Sequence, residues 1–274
     1  MNIPNTIEPE HEDVTLVQIT DTHLFADDDG ELLGVNTLDS FSAIVADIVN
    51  KNLDYDALIM TGDVSQDHSE KSYQRFESGI LPLKKNCYWL PGNHDYQPSM
   101  QSVYPSTQIQ QDTHLFVGKH WQMILLDSQV EGRPHGTLSQ QQLDFLAEKL
   151  TQFPDRHALV LLHHHPLLVG SHWLDQHCLH NSDQFWQVLQ PFANVKVVLG
   201  GHVHQDFHKQ YQNVEVITTP STCIQFKPQS DDFALDAISP GWRNLVLKAD
   251  GSIETQVHRL AGSRYQPNFE SSGY

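Results

Sequence analysis

Five short polar motifs constrain this chain most, because each directly follows an apolar run with the composition of a buried β-strand. Loops that follow strand ends commonly carry functional side chains. In the motif around Asn93, the preceding Pro91 and Gly92 predict a sharp turn, which lifts Asn93 and His94 out of the strand end. One such motif alone fits an ordinary turn as well as a functional loop, whereas five together favour a shared site. The motifs are Asp21-Thr22-His23, Gly62-Asp63, Gly92-Asn93-His94-Asp95, His163-His164-His165-Pro166 and Gly201-His202-Val203-His204.

The order of the predicted elements indicates an α/β fold. Strand-like runs at 14–19, 57–60 and 87–90 alternate with helix-like segments, which predicts parallel pairing with right-handed crossovers. In such sheets, ligands bind beyond the carboxyl ends of the strands. Further strands are predicted at 121–127, 158–162 and 195–199. Runs at 214–218, 245–247 and 254–258 are separated by turns and indicate a second, mainly antiparallel sheet.

Helices are predicted between these strands. One begins at Asn36 or Thr37, either of which can cap it, and another covers 68–78. Ser139 and Gln142 form a capping-box pattern, and 182–189 is predicted to be helical. Because no repeat or linker interrupts the chain, we interpret residues 1–274 as a single domain with its core at about 14–260. Residues 261–274 are interpreted as a polar C-terminal tail.

Bulk composition argues against several classes of protein. Apolar residues make up 39% of the chain, which is typical of a globular protein, and no apolar run approaches the roughly 20 residues that span a bilayer. The start of the chain is polar and acidic, unlike a signal peptide, so we expect a cytoplasmic protein. A net charge of −18 opposes binding to nucleic acid polymers and to anionic membranes. Cys87, Cys178 and Cys223 are widely separated, which favours free thiols over disulfides or a thiolate metal site.

The motifs offer carboxylate, imidazole and amide ligands without sulfur. Such a set favours iron, manganese, zinc or cobalt over calcium or magnesium. Seven side chains exceed one tetrahedral centre and suit two ions that share a carboxylate. The candidate ligands are Asp21, His23, Asp63, Asn93, His164, His202 and His204.

Taken in order, these motifs resemble the calcineurin-like metallophosphoesterase superfamily over residues 14 to about 210. Segments along almost the whole chain resemble, more narrowly, its bacterial class III 3′,5′-cyclic AMP phosphodiesterases. The resemblance implies a four-layer αββα sandwich, in which helices flank two facing mixed sheets and a dimetal site lies at the C-terminal strand ends. The narrower resemblance is carried by residues 18–25, 33–36, 163–166, 173–177, 220–228 and 240–243.

The resemblance also implies a reaction and a cofactor. The expected reaction is hydrolysis of cyclic AMP to 5′-AMP by a hydroxide that bridges two metal ions, which lowers cellular cyclic AMP. The expected ions are iron and manganese, alone or together, with zinc or cobalt as alternatives. No feature of the sequence indicates a particular oligomeric state.

Individual roles follow from the same resemblance. Asp63 bridges the two ions, and His94 contacts the phosphate and protonates the leaving oxygen, so these two residues are the expected catalytic pair. The first metal is assigned to Asp21, His23 and His204, and the second to Asn93, His164 and His202. The expected substrate-binding residues are His23, Asp63, Asn93, His94 and His204.

Two positions need a choice between interpretations. The family pattern places its ligand two residues before Pro166, which selects His164, and strand alternation would turn His163 and His165 to the opposite face. His163 is then expected to pack behind the ligands. Trp173 either stacks on adenine or packs a long loop.

Two alternatives to the cyclic AMP reaction are considered. The first is another dimetal phosphodiesterase, phosphatase or nuclease of the superfamily, since the metal motifs are common to all of them. A nuclease fits poorly with the acidic charge and the lack of basic stripes. The second is a non-enzymatic scaffold, which fits poorly with a complete ligand set that includes His94.

Overall fold

A computed structural model describes residues 4–273. Within that range the chain forms seventeen strands. In chain order they are β1 (Thr6–Ile7), β2 (Val14–Ile19), β3 (Glu31–Leu32), β4 (Val35–Asn36), β5 (Ala57–Met60), β6 (Cys87–Trp89), β7 (Ile109–Gln110), β8 (His114–Val117), β9 (Trp121–Leu125), β10 (His157–Leu161), β11 (Val195–Gly200), β12 (Phe207–Tyr211), β13 (Val214–Thr218), β14 (Gln225–Phe226), β15 (Leu235–Asp236), β16 (Gly241–Leu247) and β17 (Ile253–Arg259).

Six α-helices and one 3-10 helix, Leu81–Leu83, connect the strands of the described range. Three helices begin at side-chain caps that satisfy otherwise unpaired backbone N–H groups. The Asn36 side chain accepts from the N–H of Asp39, and the Ser139 hydroxyl accepts from that of Gln142, as predicted. Ser69 caps the second helix in the same way. The helices are α1 (Thr37–Lys51), α2 (Glu70–Ile80), α3 (Gln97–Val103), α4 (Gln140–Gln152), α5 (His172–Asp175) and α6 (Ser182–Leu189).

The larger strands form two mixed sheets. The first has the order β17-β16-β2-β5-β6-β7, with β2, β5, β6 and β7 parallel and β16 antiparallel to β2. The second has the order β1-β8-β9-β10-β11-β13-β12, with β9, β10, β11 and β13 parallel. Two short hairpins, β3-β4 and β14-β15, lie outside both sheets.

The last strands do not form a sheet of their own, so that prediction is wrong. Strand β13 joins the second sheet parallel to β11, whereas β16 and β17 extend the first sheet beside β2. Turn connections correctly indicated antiparallel neighbours for β16 and β17. The sheet they join is set by burial, because alternate residues of β16, such as Leu245 and Leu247, complete the apolar layer between the two sheets.

Three apolar layers produce the αββα order of the fold. The inner layer lies between the sheets and includes Leu16, Ile59 and Met123. An outer layer on the first sheet packs Val17 and Leu58 against the stripes of α1 and α2, represented by Phe41 and Phe76. The matching layer on the second sheet packs Ile124, Val160 and Val198 against Leu143, Leu146 and Phe185. The predicted fold class is therefore confirmed.

This topology brings the five motifs to one edge of the molecule. They follow β2, β5, β6, β10 and β11, whose carboxyl ends meet there. Within residues 4–273, no helix is both long and apolar enough to cross a bilayer. Residues 261–273 of the predicted tail contain neither helix nor strand, and the Asn268 N–H donates to the Leu33 carbonyl at 2.7 Å. Met1 to Ile3 and Tyr274 lie outside the described residues.

Candidate metal centre

The backbone of the motifs is held in an unusual conformation. Positive φ angles are uncommon for residues other than glycine and concentrate at functional sites, where each costs on the order of 1–3 kcal/mol. The surrounding fold must compensate for that cost. The motif residues with positive φ are Asp21 (54°), His23 (46°), Asp63 (54°), His202 (69°) and His204 (50°).

Backbone hydrogen bonds join the motif loops to one another. The N–H of Asp21 donates to the Gly62 carbonyl at 3.0 Å, and the N–H of His23 donates to the Asp63 carbonyl at 3.0 Å. The N–H of His202 donates to the Asp21 carboxylate at 3.1 Å. Gly201 lies so close to the Asp21 side chain that a Cβ on this glycine would collide with it. These contacts hold the strained loops in register.

Asp21, His23 and His204 form the first cluster, and all three are buried. His23 Nδ1–H donates to the Gln66 amide oxygen at 2.7 Å, and His204 Nδ1–H donates to the Ile224 carbonyl at 2.9 Å. In its neutral form each ring carries its lone pair on Nε2, and the two Nε2 atoms lie 3.2 Å apart. This arrangement suits a cation, because the hydrogen bond at the far nitrogen orients a metal-binding imidazole.

His163, His164 and His202 form the second cluster. His163 Nδ1–H donates to the Thr61 carbonyl at 2.7 Å. Its Nε2 lies 3.1 Å from the Asn93 amide oxygen and 3.3 Å from Asp63 Oδ2. Asp63 Oδ2 is also 3.9 Å from His23 Nε2, so this carboxylate lies between the two clusters.

The structure changes the relation between the neighbouring histidines. Strand β10 ends at Leu161 and the backbone bends at His163 and His164, so the predicted alternation of faces is wrong here. Both rings lie near His202. It is His163 that meets Asp63 and Asn93, whereas His164 Nδ1 lies 2.8 Å from the Ser128 hydroxyl. His165 is buried, with Nε2 3.5 Å from the Asp175 carboxylate.

Burial and charge set the protonation of the cluster. Burial lowers the pKa of His23 to about 3 and lowers the pKa values of His164 and His202 well below 6.5. Burial also acts to lower the pKa of His163, but the Asp63 carboxylate more than offsets this and raises it to about 9. Burial acts to raise the pKa of Asp63, but the nearby histidines, His163 first, together outweigh it and hold that pKa well below its usual value.

The imidazole nitrogens of these clusters are suited to bind metal cations. Within residues 4–273, the buried Nε2 atoms of His164 and His202 have no hydrogen-bond partner. Buried polar atoms without partners are costly in a folded protein. A metal ion at the second cluster would satisfy them, and Asp63 lies between this cluster and the first.

Comparison with known proteins agrees with this chemistry. Residues 14–206 match the calcineurin-like phosphoesterase family. The chain belongs to that family. This calcineurin-like phosphoesterase is 57% identical over 261 residues, 95% of each chain, to the 3′,5′-cyclic adenosine monophosphate phosphodiesterase CpdA of Vibrio vulnificus. It is 49% identical, over the same shares, to the protein of that name from Escherichia coli K12.

Solved structures give the same fold at much lower identity. A dimetal phosphatase from Danio rerio superposes with a TM-score of 0.65, over 90% of this chain and 98% of that one, at 16% identity. This likeness concerns the fold, whereas the likeness to the cyclic AMP phosphodiesterases is one of sequence over 95% of the chain.

His94 lies beside the metal clusters, next to Asp63 and His23. Its backbone N–H donates to Asp63 Oδ1 at 2.8 Å, and its ring centroid lies 5.0 Å from that of His23 in an edge-to-face arrangement. Burial lowers the pKa of His94, although the Asp63 carboxylate acts in the opposite direction. The side chain is only partly buried and can meet a ligand from solution.

A cavity of about 250 Å³ opens beside the centre. Its polar side is formed by Asp63, Asn93, His94 and His202. Of its other lining residues, Trp173 was a candidate from the sequence, and Leu174, His177 and Phe226 lie in segments that carry the resemblance, 173–177 and 220–228. Pro134 and Phe233 lie outside those segments and were missed because no ligand pattern surrounds them. The remaining lining residues are Pro134, Trp173, Leu174, His177, Phe226, Phe233, Ser272 and Gly273.

Arg243 lies apart from the cavity lining. It is 2% exposed, and its guanidinium pairs with the Asp206 carboxylate at 2.5 Å and donates to the Thr219 hydroxyl at 2.9 Å. Its partners support an ion-pair role rather than a substrate contact.

Proposed function

We propose that this phosphoesterase hydrolyses 3′,5′-cyclic AMP to 5′-AMP and thereby lowers cellular cyclic AMP. The observation that carries the proposal is identity of 57% and 49% over 95% of the chain to proteins named as cyclic AMP phosphodiesterases. The buried histidine and aspartate clusters supply the chemistry that such a reaction requires.

Two metal ions fit the centre, and their proposed ligands follow the two clusters. Asp21, His23 and His204 would hold one ion. Asn93 and His202 would hold the other together with His163, which we favour over His164 because of its contacts with Asp63 and Asn93. Asp63 would contact both. When bound, such ions supply Lewis-acid charge for the phosphate and an activated water at neutral pH. Iron and manganese are the proposed ions, with zinc or cobalt as alternatives.

The chain's own residues position and protonate the substrate. Asn93 and His94 line the polar side of the cavity, where a phosphodiester can bind. The negative charge of a bound phosphodiester would raise the lowered pKa of His94 and favour its protonated form. His94 would then donate that proton to the 3′ oxygen as it leaves. His23, Asp63 and His204 complete the proposed phosphate contacts.

The alternative is another small phosphoester as substrate. The metal clusters serve both reactions equally, so the choice rests on the likeness outside them. We further propose that the chain acts in the cytoplasm as a single domain and has neither a nucleic acid polymer nor a membrane as partner, in line with its net charge of −18.

Turnover of cyclic AMP by metal-loaded protein tests the proposal. The products should be separated to distinguish 5′-AMP from 3′-AMP, with cyclic GMP and bis-p-nitrophenyl phosphate assayed in parallel. Conversion of cyclic AMP to 5′-AMP supports the proposed reaction. Hydrolysis of the p-nitrophenyl ester without turnover of cyclic AMP would contradict cyclic AMP as the substrate. It would leave the proposed metal-dependent hydrolysis of phosphodiesters in place.

A further inference from the structure

Three aromatic side chains, Trp173, Phe226 and Phe233, form what we term the aromatic wall of the cavity. The Trp173 and Phe226 centroids are 4.9 Å apart, and those of Trp173 and Phe233 are 5.0 Å apart. Both pairs are edge to face, so neither partner covers the other as a flat stack would. The Phe226 ring lies nearly flat on His204, at 4.3 Å and 15°. The wall is therefore fixed directly against the first metal cluster.

Local structure holds the wall in position. Trp173 lies on α5, whose Asp175 carboxylate accepts from the Val169 N–H at 2.8 Å and the Gly170 N–H at 3.0 Å. The two phenylalanines lie on the β14–β15 hairpin segment, which is closed by a bond from the Lys227 N–H to the Ala234 carbonyl. The wall is thus preorganised, which lowers the entropic cost of binding a planar ligand.

We propose that Trp173 and Phe233 form the stacking surface for the purine base of the substrate, with Phe226 fixing that surface relative to the metal centre. This inference rests on the proposed hydrolysis of cyclic AMP and adds the residues that recognise its base. The sequence left Trp173 open between stacking and loop packing, and its place in the cavity lining supports stacking.

The mixed lining of the cavity carries the argument. It combines carboxylate, amide and imidazole groups with the aromatic wall. A cyclic nucleotide has the matching distribution, because its base lies one sugar ring away from its phosphodiester. A small phosphoester without a ring would leave the aromatic wall unused. Base–aromatic stacking is an established source of nucleotide affinity.

The indole N–H of Trp173 adds a second observation. Trp121, Trp186 and Trp242 donate their indole N–H groups to protein oxygens. The buried Trp173 Nε1 has no partner within residues 4–273, as is also true of Trp89, which packs in the outer core of the first sheet. Trp173 thus differs from those three tryptophans in having no bond from its indole N–H to the described part of the chain, and its ring lines the cavity.

A substrate that lacks the base distinguishes base stacking by Trp173 and Phe233 from a purely structural role of these residues. Metal-loaded wild-type protein and the Trp173→Ala and Phe233→Ala variants should be assayed on cyclic AMP and on ribose 3,5-cyclic phosphate. We expect each substitution to raise KM for cyclic AMP by about tenfold, with a much smaller change in kcat. The loss should be confined to the substrate that carries a base. Trp173→Phe should recover part of the affinity because it retains a ring.

Two controls make the result interpretable. Phe145→Ala removes a partly buried ring on α4, in a different cavity, and should leave both substrates within about twofold of wild type. Inhibition by 5′-AMP and by ribose 5-phosphate gives a readout independent of turnover, and only 5′-AMP should weaken in the variants. Metal content, measured for each variant, must match wild type.

The outcomes separate the two proposals. Equal losses on both substrates, or no loss on either, would overturn the stacking surface while leaving cyclic AMP hydrolysis in place. Failure of the wild-type protein on cyclic AMP, with activity on bis-p-nitrophenyl phosphate, would overturn the proposed function and with it the base-binding role. A rise in KM limited to cyclic AMP and weaker inhibition limited to 5′-AMP support the inference.

Discussion

The Nε2 atom of His163 lies 3.3 Å from Oδ2 of Asp63, and both side chains are buried. His163 Nδ1–H is committed to the Thr61 carbonyl, so Nε2 faces the Asp63 and Asn93 oxygens either as a lone pair or as a second N–H. Three acceptors this close require a positive species between them. A proton fills that role in the metal-free chain, which agrees with the His163 pKa of about 9, and a metal ion can replace the proton.

His163→Ala and His164→Ala form a matched pair that tests this relationship. Loss of a direct ligand should reduce the bound metal from two ions to one. Loss of a residue that only supports the ligands should weaken metal binding by about 10- to 100-fold. We expect His163→Ala to show the larger defect. Metal content after dialysis and metal titration calorimetry measure both variants, and the reverse order would return the ligand role to His164.

Asp63→Ala should abolish nearly all turnover, because it removes the carboxylate that lies between the two clusters. It also removes the acceptor of the His94 N–H and should loosen that loop. Asp63→Asn keeps the shape and serves as the control for packing. Metal analysis and cyclic AMP turnover measure the effect. Two retained ions together with full activity in Asp63→Ala would exclude a bridging role.

His94→Gln should separate proton donation from metal binding. General acid catalysis contributes about 10²- to 10⁴-fold, so turnover of cyclic AMP should fall within that range. The loss on bis-p-nitrophenyl phosphate should be much smaller, because p-nitrophenolate leaves readily without a proton. Metal content should not change. Equal losses on the two substrates would argue that His94 binds the phosphate without protonating the leaving oxygen.

Much of the site could be predicted because its ligands are short motifs at strand ends. Asp21 and Asp63 follow β2 and β5, and parallel pairing of those strands brings the two carboxylates to one edge. His163 could not be assigned in this way, because the end of β10 at Leu161 and the following bend are set by tertiary contacts. Strand alternation assumes an extended backbone, which is absent there.

The sequence pattern also could not predict which sheet the last strands join. Turns between β16 and β17 indicate an antiparallel pair, but nothing local indicates that this pair lies beside β2. The aromatic wall could not be predicted for the same reason, because it depends on contacts between distant parts of the chain. Trp173 and Phe233 are 60 positions apart and meet only when α5 and the β14–β15 hairpin fold over the centre. Individual ring-bearing residues carry no signal of such a meeting.

The buried histidines make the stability of metal-free protein depend on pH. His23 stays neutral in the fold because burial lowers its pKa to about 3, and burial also lowers the pKa values of His164 and His202. In the unfolded chain, each takes up a proton near pH 6.5. Below that pH the unfolded chain binds more protons, so stability falls as the pH falls. The slope is about 1.4 kcal/mol per pH unit for each such histidine.

His163 acts in the opposite direction, because its pKa is raised to about 9. Its contribution is complete below pH 6.5 and is lost as the pH rises from 6.5 through 9. We therefore expect metal-free protein to be most stable near neutral pH. Urea unfolding at pH 5, 6, 7, 8 and 9 measures this curve. His23→Gln should reduce the acid slope, and His11→Gln, at an exposed position, should not. An unchanged slope in His23→Gln would show that another group controls the acid transition.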